Sequence, residues 1–106
     1  MTTSSSSLPH RSPPLRIRTT PTMMLRYRAY LEHRRYSYGS IDYLLWGAGR
    51  LIAAFPGGVV PLNSAQLTQE TDSWVTSPAT QRTYRRIAYR FHEFLESEVK
   101  AGEVVP

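Results

Sequence analysis

The chain has 106 residues, a formal net charge of +5, 41% hydrophobic and 11% aromatic residues, and no cysteine. That length supplies one small core and no second, and the missing cysteines exclude disulfide staples and thiolate metal sites. The longest apolar-rich stretch, YLLWGAGRLIAAF, is broken by Gly47, Gly49 and Arg50; it falls short of the roughly 20 apolar residues of a membrane span, so no membrane partner is expected.

The charge is unevenly placed. Residues 1–36 carry seven arginines against one glutamate, 37–76 one arginine against three acids, and 77–106 five bases against four acids. Within the last segment Arg82, Arg85, Arg86 and Arg90 all precede Glu93, Glu96, Glu98 and Glu103. Such partition favours a directed electrostatic surface over a merely soluble one. Twelve of the thirteen bases are arginine, the side chain suited to bidentate phosphate recognition.

In chain order, residues 1–20 (MTTSSSSLPHRSPPLRIRTT) are rich in Ser, Thr and Pro, carry no acid and show no hydrophobic period. They predict a disordered basic arm ahead of a domain at 21–106. The arm lacks the apolar centre of a secretory signal, and its prolines break the amphipathic helix of a transit peptide. The protein is therefore expected in the cytoplasm, with the nucleoid if it binds DNA. A first helix is predicted from Thr22 to about Arg35 on Met24, Tyr27 and Leu31. A second follows the Ser37 and Gly39 punctuation, with Ile41, Leu44, Leu45, Ala48, Leu51, Ile52 and Phe55 as its stripe and Pro56-Gly57-Gly58 as its end. Gly47 and Gly49 each weaken it by about 1 kcal/mol relative to Ala, which implies that a neighbouring helix or a ligand comes close there. After the turn-rich PGGVVPLNSAQ, a short third helix is predicted with Thr68 as N-cap, Glu70 and Asp72 in its first turn, and Leu67, Thr71, Trp74 and Val75 facing one way. Ser77 then caps a fourth helix with Pro78 at its first position and Tyr84, Ile87, Ala88, Phe91, Phe94, Leu95 and Val99 as its apolar face. No alternating run predicts a strand. The fold class is all-α.

Chemistry-bearing patterns are few. GAGR at 47–50 sits inside a helical stripe and not at a strand-to-helix turn, so it is no phosphate loop. His92-Glu93 with Glu96 departs from the zinc-binding HExxH pattern, because its fifth position is Glu. No nucleophile, base or paired-carboxylate set emerges from the spacing, and no catalytic residue, metal or cofactor is expected. What stands out is the fourth helix. Arg82, Arg85, Arg86 and Tyr89 share one sector opposite Ile87, Phe91 and Phe94, and Thr80 and Gln81 lie beside the helix N-terminus, where a phosphate is welcome. Together with the basic arm and first helix, these predict a nucleic-acid surface.

From about residue 23 to 106 the chain resembles the N-terminal core-binding, or SAM-like, domain of tyrosine recombinases and phage integrases. LRYRAYLEHRRYS is similar to that family's first helix and turn, IDYLLWGAGRLIAAF to its second helix, LTQETDSWV to its third, and SPATQRTYRRIAYRFHEFLESEVKAGEVVP to its fourth. The chain departs from the pattern at Tyr38-Gly39-Ser40 and at Arg85, where the family usually carries leucine. The resemblance implies a four-helix SAM-like orthogonal bundle that clamps double-stranded DNA, in company with other recombinase protomers, through helices two and four. It implies contacts from Ser37, Gly39, Ser40 and Tyr43 on helix two and from Thr80, Gln81, Arg82, Arg85, Arg86 and Tyr89 on helix four, supported by Arg26 and Arg28. The family's catalytic residues belong to a second domain, so no residue here inherits a catalytic role. The competing expectations are a helical protein-interaction module, whose arginines meet an acidic partner and whose Trp46 is an exposed anchor, and an orphan domain that occupies recombination sites without cutting them.

Overall fold

The structure, a computed structural model, describes residues 15–102. It contains two short strands and four helices: β1 (Arg16–Arg18), α1 (Pro21–His33), α2 (Tyr38–Ala54), β2 (Val59–Pro61), α3 (Ser64–Asp72) and α4 (Pro78–Lys100). The all-α class and the four helices agree with the sequence; the strands and several helix boundaries do not.

The strands correct both the extent of the arm and the absence of β structure. Arg16–Arg18 pairs antiparallel with Val59–Pro61, setting Ile17 opposite Val60, and both of these side chains are fully buried. Three residues give no period to read, yet one apolar residue between two arginines suffices when its partner strand supplies the other half of the contact. Thr19 extends the seam by donating from Oγ1 to the Gly58 carbonyl at 2.8 Å. Residues 15–20 thus belong to the domain, while the remainder of the predicted arm, residues 1–14, lies outside the described residues.

Thr20 caps α1 by accepting from the Met23 amide at 3.1 Å, with Pro21 in the first helical position, where its missing N–H costs nothing. Met23, Tyr27 and Leu31 are the buried residues, so the inward stripe runs through Met23 and not Met24. The helix ends two residues earlier than predicted. Arg35 adopts a left-handed φ of 65°, its amide bonds the Glu32 carbonyl, and the Tyr36 amide bonds the Leu31 carbonyl. This is the paired C-terminal closure in which glycine is usual; an arginine there costs about 1 kcal/mol. Ser37 then caps α2, accepting from the Ser40 amide at 3.2 Å. Ile41, Leu44, Gly47, Ala48 and Leu51 form its buried face. The helix stops before Pro56, where Gly57 and Gly58 take positive φ in a single tight turn that delivers the chain to β2.

α3 begins five residues earlier than predicted. Its N-cap is Asn63, which accepts from the Gln66 amide at 2.9 Å, and Thr68 is internal. Glu70 and Asp72 therefore occupy the last turn, where the helix dipole disfavours carboxylates. Each is answered by a donor: Trp74 Nε1 bonds Glu70 at 2.9 Å, and Arg85 bonds Asp72. α4 starts at Pro78 as predicted, although Ser77 makes no side-chain capping bond. Its Ile87, Ala88, Phe91, Phe94 and Leu95 join Met23, Tyr27, Leu31, Ile41, Leu44, Ala48, Leu51 and Leu67 in one core.

Two interactions fix the helices against each other. Arg26 of α1 donates to the Glu98 carboxylate of α4 from Nε at 2.9 Å and from Nη2 at 2.7 Å, satisfying an acid that is only 6% exposed. At the crossing of α2 and α4, a β-carbon built on Gly47 would lie 2.5 Å from Ile87 side-chain carbons. The expected close approach is present there. It is absent at Gly49, where a β-carbon would meet nothing within 4 Å.

The two glycines should consequently respond in opposite directions. Gly47→Ala must displace Ile87 and is expected to lose about 1–3 kcal/mol, whereas Gly49→Ala is expected to gain up to about 1 kcal/mol from helix propensity. Denaturant unfolding of the two variants beside the parent measures both.

Candidate nucleic-acid interface

At about 100° per residue, Arg82, Arg86 and Tyr89 lie within about 60° of one another on α4. All three are exposed, and none makes a side-chain hydrogen bond or ion pair among the described residues. The other two arginines of the helix are engaged: Arg90 pairs with Glu93 at 3.0 Å and Arg85 with Asp72 at 2.8 Å. This division follows from position. Arg85 stands about 60° round the helix from Arg82, towards α3, close enough to close on the carboxylate that ends that helix.

Arg85 donates from Nε at 2.9 Å and Nη2 at 2.8 Å, one to each oxygen of Asp72. The hydrogen bonds from Arg85, more than its charge, hold the Asp72 carboxyl below its ordinary range. Gln81 is likewise committed, its amide nitrogen donating to the Asp72 and Val75 carbonyls at 3.0 and 3.1 Å. Gln81 and Arg85, predicted as DNA contacts, therefore serve first to lock α3 and its following loop to α4. Thr80 is half-buried.

The α2 candidates also separate. Ser37, Gly39 and Ser40 form the first turn, with Ser37 and Gly39 exposed. That turn runs beside α4, since Arg90 lies over the Tyr36 ring at 5.9 Å. Tyr43 is turned inward: its ring stacks on Trp46 at 6.2 Å and tilts against Tyr84 at 6.3 Å, and its hydroxyl is buried without a partner. Burial and Tyr84 push that phenol up, with the Arg86 guanidinium acting in the opposite direction. Tyr43 thus cannot present its hydroxyl to a duplex as placed, but it shows that Arg86 stands close to α2. Arg26 is held by Glu98, while Arg28 makes only a 4.0 Å contact with Asp42, both side chains being well exposed.

Sequence reasoning missed Arg50. Its guanidinium sits 4.5 Å from the Trp74 ring centre and 5.7 Å from that of Trp46, over a cluster in which Trp46, Trp74 and Tyr84 meet edge-on at 6.0–6.3 Å. The i,i+4 spacing of Trp46 and Arg50 was a visible signal; the arrival of Trp74 from α3 was not. A shallow cleft of about 320 Å³ beside it is lined by Phe55, Gln66, Gln69, Glu70 and Ser73, and Glu70 already accepts from Trp74. Among the described residues no group of three or more His, Asp or Glu could hold a metal ion, and no helix is long and apolar enough to cross a membrane.

The folded pKa of Asp72 lies below its unfolded value, so the stability it contributes is complete above the ordinary carboxylate range and is lost as pH falls through the folded value. Asp72→Asn should therefore be less stable than the parent near neutrality and converge with it below about pH 4, as thermal unfolding at a series of pH values will report. No protein-family model, curated protein or solved structure matches the chain.

Proposed function

We propose that this chain is a DNA-binding module that holds a duplex with the arginine row of α4 and the first turn of α2, and that it performs no chemistry of its own. The observation that carries this reading is the state of Arg82 and Arg86: exposed, neighbouring, unpaired with any carboxylate among the described residues, and mounted on the same turns of α4 as the exposed Tyr89. A guanidinium in that condition is suited to phosphate oxygens. The capped N-terminus of α2 adds a second place where an anion is favoured. Arg85, Gln81 and Tyr43 act behind this surface by fixing α3 and α2 against α4. The resemblance of the chain to the core-binding domain of tyrosine recombinases supports the same role. In that role its partner is a recombination site in the cytoplasm or nucleoid, occupied either as part of a longer recombinase or as a free-standing site-binding protein.

The test is titration of a labelled duplex at several salt concentrations. Each phosphate neutralised contributes about −0.9 to the slope of log affinity against log salt. Arg82→Ala and Arg86→Ala are each expected to make that slope shallower by about one unit, whereas Arg85→Ala should lower thermal stability and leave the slope unchanged. An affinity independent of salt would overturn the reading.

A further inference from the structure

The solvent-facing ridge of α2 is complementary in charge to its own reverse about Trp46. Asp42 and Arg50 stand four residues before and after it, Tyr43 and Gly49 three, and Gly39 and Ala53 seven. On a helix, residues four before and four after a centre are displaced by equal and opposite angles of about 40°, and residues seven before and after by about 20°. Gly39, Asp42, Trp46, Gly49, Arg50 and Ala53 are all exposed. A two-fold axis through Trp46 and perpendicular to the Asp42–Trp46–Arg50 row, which is inclined by about 26° to the helix axis, therefore brings Asp42 of one copy over Arg50 of the other, with the two helices crossing about 50° from antiparallel.

We propose that this ridge is an isologous interface, on which two copies of the chain pair through crossed α2 helices with Trp46 at the two-fold axis. The charges are complementary under that operation and no other copy number is needed to satisfy them, as a closed two-fold contact requires. Arg50 forms no ion pair among the described residues and sits over Trp46 and Trp74, where its N–H groups can still donate to an incoming acid. Asp42, with its side chain 75% exposed, has only the 4.0 Å contact with Arg28, which an opposing Arg50 can readily displace. Trp46 is 49% exposed, and tryptophan and arginine are the residues that most often dominate interface energetics.

The glycines supply the steric part. Neither Gly39 nor Gly49 has an internal reason to lack a side chain, because a β-carbon on either would meet nothing within 4 Å and neither takes a positive φ. Gly49, in the helix interior, weakens α2 by about 1 kcal/mol relative to Ala. A second helix coming down on the ridge gives that sacrifice a purpose, since Gly49 leaves room beside the projecting indole. Duplex DNA fits the ridge less well, because Asp42 on it would face phosphates. One helix ridge buries less than the roughly 1,200 Å² of a stable complex, so the dimer is a weak one that forms at high protein concentration.

Sedimentation equilibrium of the full chain, without DNA, is the test. The parent should move from monomer to dimer as concentration rises towards about 1 mM. Asp42→Arg and Arg50→Asp each place two like-charged pairs across the axis and should weaken the dimer at least about tenfold, and the double swap should recover most of it. Gly49→Lys, which the open space around Gly49 accommodates, should abolish the dimer while leaving the monomer as stable as the parent or more so. A parent that stays monomeric at the highest concentration, or a double swap no better than the single ones, overturns the proposal. None of these outcomes depends on whether α4 binds DNA.

Discussion

The close crossing of α2 and α4 at Gly47 is the contact on which the rest of the molecule hangs. With hydrogen where a methyl group would be, α2 settles against Ile87. That approach stacks Tyr43 and Trp46 on Tyr84, and lets Trp74 complete the aromatic cluster from α3. Arg50 then closes over the indoles. A larger residue at position 47 would lift α2 away from α4, and the aromatic contacts, which depend on ring centres lying about 5–7 Å apart, would be the first to loosen. The Arg26–Glu98 pair does the corresponding job at the other end of α4, where it ties α1 to a carboxylate that burial would otherwise penalise heavily.

Once the helices are fixed, the arginines divide by what they can reach. Arg26, Arg85 and Arg90 find carboxylates on their own chain, and their charge is largely used within the fold. Arg82 and Arg86 form no ion pair with a carboxylate among the described residues. Net charge alone therefore exaggerates the electropositive surface of this protein; two turns of α4 keep two neighbouring arginines able to meet an external anion, besides the exposed Arg16, Arg18, Arg34, Arg35 and Arg50 elsewhere on the surface. The acids follow the same logic. Asp72 sits at an unfavourable helix end and draws in Arg85, so one electrostatic difficulty removes another arginine from the surface.

How much of this was legible in the sequence depends on the range of each interaction. Residues such as Ile87, Phe91 and Phe94 announced α4 because helical periodicity is local, and Pro78 marked its start for the same reason. β1 was hidden because Ile17 is a single buried residue whose meaning comes from Val60, more than forty positions later. The start of α3 was misplaced because Asn63 and Thr68 are both competent caps, and choosing between them depends on where β2 ends. The same error put Glu70 and Asp72 at the favourable end of the helix and obscured the reason for Arg85. At that position the recombinase resemblance carries leucine; here an arginine reaches the rim of the core and pairs instead of packing. Gly47 and Gly49 looked equivalent in sequence, and only the crossing with α4 separates them.

That difference between the two glycines also separates the two surfaces of the molecule. Gly47 faces inward and is explained by Ile87, while Gly49 faces outward and has no explanation inside the chain. The outward ridge alternates an acid, an indole and an arginine, which suits a copy of itself better than a polyanion. The α4 row contains two arginines and no acid before Glu93, which suits a polyanion better than a copy of itself. Since α2 and α4 are locked at their crossing, any two-fold pairing through α2 would carry two arginine rows related by the same axis. Two-fold symmetry of that kind matches an inverted repeat in duplex DNA, so the two readings, though independently testable, are geometrically compatible.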